Sequence, residues 1–115
     1  MSQTSCKQTW SQRDCNRFRS KSRAVMEHVR KIGHHEGAME NALWKALDAR
    51  QEITQSEAIN MVNSAENVWG DLNAYIANLA EAIPDSKFKR IVSHINASEA
   101  LLKEMRKIVL GENKK

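Results

Sequence analysis

A seven-residue repeat of apolar side chains in the second half of the chain constrains the fold most strongly. Its members are Ala58, Val62, Ala65, Trp69, Leu72, Ile76, Leu79 and Ile83. Alternating steps of three and four residues place all of them on one face of an α-helix, which turns once in about 3.6 residues. Met61, Val68 and Tyr75 widen this stripe, so the sequence predicts a long helix that packs against more than one neighbour.

Three further segments carry shorter apolar stripes with the same period. The four predicted helices span about residues 11–32, 38–53, 57–83 and 86–110. Ser11 with Asp14, and Thr54 with Glu57, have the spacing of helix-capping boxes, while Pro84 cannot continue a helix. We therefore predict a break before Thr54; one continuous helix through this point is the alternative.

Composition excludes an all-β fold and favours a helical bundle. Four glycines, one proline and a 5% aromatic content are too few for the turns and strands of a β-protein. Helices joined by short loops pack side by side, so we predict an all-α, antiparallel four-helix bundle. A single domain is expected over residues 11–111, with flexible tails at 1–10 and 112–115.

The chain has none of the sequence features of a membrane or secreted protein. No run approaches the roughly 20 apolar residues that cross a bilayer, and the N-terminal region has no apolar signal segment. Cys6 and Cys15 are too few for a disulfide framework. We expect a soluble, cytoplasmic protein with free thiols and no membrane partner.

Charge divides the chain into three segments of alternating sign. Residues 1–35 carry eight Lys or Arg and two acidic residues, a net charge of +6. Residues 36–86 carry nine acidic and two basic residues (−7), and residues 87–115 carry eight basic and three acidic residues (+5). The first and last helices are therefore basic, and a bundle that places them side by side joins two positive faces.

A joined positive face is typical of proteins that bind the phosphate backbone of nucleic acid. We predict contacts from Arg13, Arg17, Arg19, Lys21, Arg23, Arg30 and Lys31 in the first helix and from Lys89, Arg90, Lys103 and Lys107 in the last. No helix-turn-helix, zinc-finger or RNA-recognition motif accompanies them, so an accessory subunit that holds nucleic acid or a ribonucleoprotein without reading bases is expected. The alternative is a merely solvated face, or one balanced internally by the acidic helices.

A second function class rests on two other features. The outer side of the third helix carries Asn63, Asn67, Gly70, Asn73 and Ala74, where a solvated helix usually carries Glu, Lys or Gln. Trp44 lies off the apolar stripe of the second helix, and tryptophan is enriched at interface hot spots. These residues predict a contact with another protein or with a second copy, as in a small inhibitor or adaptor.

The sequence supports neither catalysis nor a cofactor. No Ser, Cys or carboxylate pair has an evident general base or orienting group. His34, His35 and Glu36, with His28 and Glu40 nearby, are the one cluster of metal-ligand types, but no CxxC or HExxH spacing accompanies them. We predict a non-enzymatic protein without metal or cofactor.

Overall fold

The computed structural model describes residues 10–111, which form four α-helices and no strand. The helices are α1 (Gln12–Ile32), α2 (Glu36–Leu47), α3 (Gln55–Asn78) and α4 (Asp85–Leu110). The predicted all-α, four-helix fold is confirmed. The predicted tails, apart from Trp10, lie outside the described residues.

Each helix packs against its neighbours in the chain, and α1 also packs against α4, which closes the ring of four helices. Neighbours run antiparallel: His28 near the end of α1 touches His94 in the first half of α4, and Arg106 near the end of α4 binds Glu66 in the first half of α3. The α1–α4 contact is the most extensive of the four. The first and last helices are therefore side by side along most of α1.

Both predicted capping boxes are present. The hydroxyl of Ser11 accepts the backbone N–H of Asp14, whose carboxylate accepts the N–H of Ser11 in return. Thr54 and Glu57 make the same exchange at the start of α3. Because each box satisfies N–H groups that a helix start leaves unpaired, the break between α2 and α3 falls where the sequence predicts it.

The helix α2 ends at Leu47 rather than near residue 53. The guanidinium of Arg19, on α1, donates to the carbonyls of Lys45, Ala46, Asp48 and Gln51. These are carbonyls at and just beyond the end of α2, which have no partner within the helix. Arg19 therefore satisfies two carbonyls of the last turn of α2 and two of the segment after it. Ile53 is buried although it is no longer helical.

Two more boundaries differ from the predicted ones. Helix α2 begins at Glu36, inside the predicted loop 33–37, because Gly33 takes a left-handed conformation (φ 86°) and reverses the chain at once. Helix α3 ends at Asn78 rather than at 83, and tight turns follow, such as the bond from the N–H of Ala82 to the carbonyl of Leu79. Pro84 disfavours a helical conformation at Ile83, directly before it, so α3 and α4 cannot join into one helix.

The predicted inward stripes form the core, except that Tyr75, predicted to widen the stripe of α3, is exposed. Fully buried large side chains come from all four helices: Phe18, Met26, Met39, Leu43, Leu72, Ile76, Met105 and Ile108. Each contributes roughly 1.5–3 kcal/mol by leaving water. At the far end of the α3–α4 pair, Leu79, Ile83 and Phe88 are half-buried. Within residues 10–111, no helix is both long and apolar enough to cross a membrane.

Candidate nucleic-acid interface

The antiparallel contact of α1 with α4 brings basic side chains from both ends of the chain onto one surface. On α1, positions 17, 21 and 31 follow the flank on which His28 touches α4, and on α4 Arg90 lies one turn before His94. Arg13 shares this flank of α1, while Lys89 and Lys107 are exposed on the outward side of α4, about 100° around the helix from Arg90. We call this surface the α1/α4 seam: Arg13, Arg17, Lys21, Lys31, Lys89, Arg90 and Lys107.

Most of the seam is exposed and not neutralised. Five of its seven side chains are exposed and form no ion pair within the described residues: Arg13, Lys31, Lys89, Arg90 and Lys107. Arg17 lies 3.9 Å from the carboxylate of Asp14, which is a long and weak contact. The seam is interrupted on α4 by the exposed Glu104, but its net charge is clearly positive.

The acidic segment 36–86 does not neutralise the positive charge of the seam through ion pairs. Its carboxylates bind basic residues of the same segment in two ion pairs, Lys45 with Glu57 and Arg50 with Asp48. Among residues 10–111, the one ion pair that joins this segment to a basic end is Arg106 with Glu66, between α4 and α3. Within residues 10–111, no acidic residue of α2 or α3 forms an ion pair with the α1/α4 seam.

Three predicted residues lie on other grooves of the bundle. Arg23 and Arg30 line the groove between α1 and α2, together with Glu40 of α2. Lys103 faces the groove between α3 and α4, where it lies 3.7 Å from Glu99. The expectation that all eleven basic residues share one face is therefore wrong, because the side of a helix on which each residue falls decides which neighbour it meets.

Arg19 is not a surface residue. Only 7% of it is exposed, and its guanidinium is held by backbone carbonyls at the end of α2. Its predicted place on an exposed basic face is wrong, because the negative end of the α2 dipole offers a partner for a buried cation. Arg19 stabilises the fold and is not available to a phosphate.

A pair of histidines lies within the seam. The Nδ1 atoms of His28 and His94 are 2.9 Å apart, and the ring centroids are 5.1 Å apart. Burial lowers the pKa of His94 below its usual value, and the neighbouring His28, Lys31 and Arg90 lower it further because all three are cationic or become so. This pair is not among the predicted sites, since 66 residues separate its members and no spacing rule links them.

The residues of the predicted protein contact are exposed. Trp44 is 53% exposed, and a Cβ atom added at Gly70 would meet nothing within 4 Å. Asn63 is already engaged, because its side-chain oxygen accepts a hydrogen bond from Arg106 at 2.5 Å. The predicted residues Asn67, Asn73 and Ala74 are also exposed, so they form an open face of α3.

The histidines between α1 and α2 do not assemble a metal site. His34 and His35 pack against the ring of Tyr75, with centroids 4.6 Å and 5.8 Å away. In the part of the chain that the structure describes, no three His, Cys, Asp or Glu side chains come together in a way that holds a metal ion.

The seam thus offers a row of unpaired cations on two packed helices, which is an arrangement that can contact several phosphates at once. Comparisons of the chain with protein-family models, with curated proteins and with solved structures found no match.

Proposed function

We propose that this protein is a non-enzymatic accessory subunit whose α1/α4 seam binds the phosphate backbone of nucleic acid, free or within a ribonucleoprotein. One observation carries the proposal: α1 and α4 are packed neighbours, so unpaired basic side chains from both ends of the chain lie on one surface. Each phosphate that such a side chain neutralises releases counterions, which gives affinity that falls with salt.

The dimensions of the seam fit several consecutive phosphates. From Arg13 to Lys31 the seam runs about 27 Å along α1, at about 1.5 Å per residue. Phosphates of one strand are spaced about 3.4 Å apart along a duplex axis, so the positive surface spans more than a single phosphate. On α4 the basic residues of the seam lie at its two ends: Lys89 and Arg90 are beside the end of α1, and Lys107 is beside its start.

The seam has no aromatic side chain that could stack on a base. Within the described residues, the exposed large aromatic side chains are Trp44 and Tyr75, which lie on α2 and α3 and not on the seam. Arginine and lysine read guanine only where a docked helix aims them at base edges, and otherwise they contact phosphates; the sequence carries no motif for such docking. The proposed binding is therefore independent of sequence.

The test is fluorescence anisotropy with labelled duplex DNA and single-stranded RNA of arbitrary sequence, measured over a series of salt concentrations. The seam variant carries Arg13→Glu, Lys89→Glu and Lys107→Glu. The matched control carries Arg23→Glu, Arg30→Glu and Arg50→Glu, which lie on the α1–α2 side or in the connection after α2. Each substitution changes the net charge by two units, so both variants have a net charge lower by six. A difference in affinity between them therefore reports where the charges lie and not how many there are.

We expect binding of the unmodified protein to weaken steeply with salt. In the seam variant the slope of log K against log salt should become shallower for each phosphate that the seam no longer neutralises, by about 0.9 with duplex DNA and about 0.7 with single strands. The control variant should change much less. Circular dichroism should show unchanged helicity in both variants, because all six side chains are exposed. Absence of binding at low salt, or equal weakening in the two variants, would refute the proposal.

The exposure of Trp44 supports a second candidate function, a small regulator that binds another protein. Trp44 borders a shallow groove on α2 with Leu47 and Ala49, and a half-exposed tryptophan next to apolar neighbours is a typical interface anchor. Trp44→Ala and Gly70→Glu should each abolish capture of such a partner in a pull-down. If both variants still capture the partner, neither of these two faces is its binding surface.

A further inference from the structure

The histidine pair of the seam is held in a defined geometry. The rings of His28 and His94 are tilted by 42°, and both residues are half-buried between α1 and α4. At a separation of 2.9 Å, the N–H of one Nδ1 donates a hydrogen bond and the other Nδ1 accepts it. This bond requires that at least one ring is neutral, because two imidazolium rings have no acceptor between them.

The surroundings of the pair are cationic from both helices. Lys31 follows His28 by one turn on α1, and Arg90 precedes His94 by one turn on α4. Both side chains are exposed, and neither forms an ion pair within the described residues. The neighbouring charges that act on His94 are all positive: His28, Lys31 and Arg90.

Such a cluster is unusual because, among residues 10–111, no carboxylate forms an ion pair with it. Structural histidines near a protein surface usually have a carboxylate or a backbone carbonyl as partner, and clustered cations repel one another at close range. The nearest acidic residue along α1, Glu27, lies 3.9 Å from Arg30 in a separate contact. An anion placed between the two helices removes this repulsion and accepts hydrogen bonds from several donors at once.

We propose that His28, His94, Lys31 and Arg90 form a binding site for an oxyanion of the phosphate class, and that the site fills when both histidines are protonated. In this state both rings donate to the anion, and the hydrogen bond between the rings is replaced. The inference deepens the proposed function and rests on it only for the source of the anion, which is then a phosphate of the nucleic-acid backbone.

Proton uptake makes the site sensitive to pH. Without the anion, burial disfavours the charged form of His94, and the positive neighbours disfavour it further. A bound anion favours that form, so binding takes up protons and tightens as the pH falls. For each proton that a histidine takes up on binding, the affinity for the anion changes by up to about tenfold per pH unit. This holds between the pKa of that histidine in the free protein and its pKa in the complex with the anion.

The direct test uses inorganic sulfate, a dianion that does not titrate in the range where histidine does. The full chain, labelled with ¹⁵N at histidine, is titrated with sodium sulfate at about pH 5.5 and about pH 7.5, with sodium chloride of equal ionic strength as control. We expect the ring resonances of His28 and His94 to shift with sulfate while those of His34 and His35 remain unchanged. We expect sulfate to bind at least about fivefold more tightly at the lower pH.

Two variants separate this site from general attraction of anions. The double variant His28→Gln and His94→Gln removes both titrating groups but keeps Lys31 and Arg90, so residual binding should lose its dependence on pH. The control His34→Gln removes a histidine that packs on Tyr75 outside the seam and should behave like the unmodified protein. Thermal unfolding of each variant checks the fold.

Several results would overturn the inference: equal sulfate affinity at both pH values, equal shifts at all four histidines, or an unchanged pH dependence in the double variant. The measurement on the unmodified protein decides the matter even if the double variant fails to fold.

The source of the anion is tested separately, with the same duplex DNA and single-stranded RNA at both pH values. Sulfate binding without oligonucleotide binding would support an oxyanion site and refute the proposed function. Oligonucleotide binding that weakens in the seam variant but is independent of pH would support the proposed function and would refute a nucleic-acid phosphate as the anion bound at the site. The seam variant leaves all four residues of the site unchanged, so the two tests do not interfere.

Discussion

Replacing Arg19 with methionine tests the structural role that the fold assigns to it. Methionine keeps a long apolar stem in the same space but removes the guanidinium, which donates to carbonyls of Lys45, Ala46, Asp48 and Gln51. In the described part of the chain, every buried side-chain nitrogen and oxygen has a hydrogen-bond partner. Arg19→Met leaves the buried carbonyl of Ala46 without this donor and leaves a helix end uncapped.

The expected loss of stability can be worked from these bonds. An unsatisfied buried carbonyl costs about 1–3 kcal/mol, and a hydrogen bond from a charged donor contributes about 1.5–3 kcal/mol. These contributions do not simply add, because one guanidinium makes all of the bonds. Because the other carbonyls are partly accessible to water, we expect a total loss of about 3–4 kcal/mol. For a domain of this size this lowers the Tm by roughly 15 °C. Arg19→Lys should lose about half as much, since one ammonium reaches fewer carbonyls.

Urea and thermal unfolding followed by circular dichroism measure the free energy of unfolding of each variant. The control is Arg23→Met, one turn further along α1 and exposed, which should change stability by no more than about 0.5 kcal/mol. A loss below about 1 kcal/mol for Arg19→Met would show that the carbonyls find water or other donors, and would refute the assigned role.

Three further predictions concern caps and charges. Thr54→Ala removes one half of the capping box of α3 and should lower the free energy of unfolding by about 1 kcal/mol in urea titrations, whereas an unchanged midpoint would show that the box is dispensable. The lowered pKa of His94 means that the folded chain binds fewer protons there than the unfolded chain; stability should therefore fall as the pH drops below the ordinary value of 6.5, and His94→Gln should flatten this part of the profile. A double-mutant cycle with Arg106→Gln and Glu66→Gln should give a coupling of about 0.5–1 kcal/mol that shrinks with added salt, and a coupling independent of salt would contradict an ionic contribution.

The helices and their inward faces could be predicted because their signals are local. The stripe of α3 and the capping boxes lie within a few residues of one another in the sequence, and each fixes local backbone conformation or the face that leaves water. Even the break between α2 and α3 follows from one such box at Thr54. The end of α2 at Leu47 is predicted less accurately, because it depends on the side chain of Arg19 from α1.

The distribution of charge over the surface could be predicted only in part. The adjacency of α1 and α4 follows from topology, but Lys21 and Arg23 end on opposite flanks of α1, and only the positions of its neighbours decide which of them meets α4. Arginine is rarely buried, so a surface position is the natural expectation for Arg19, and only the carbonyls at the end of α2 make its burial favourable. The contact of His28 with His94 has no sequence signal at all.

The contact between the first and last helices, α1 and α4, affects the order in which the bundle folds. Contacts within the α1–α2, α2–α3 and α3–α4 hairpins join residues close in sequence, whereas the α1–α4 contact must bring together the two ends of the chain at a greater cost in loop entropy. We expect this contact to complete last. The positive surface then exists only in the fully folded molecule, because in a nascent or partly folded chain the two basic helices are still apart.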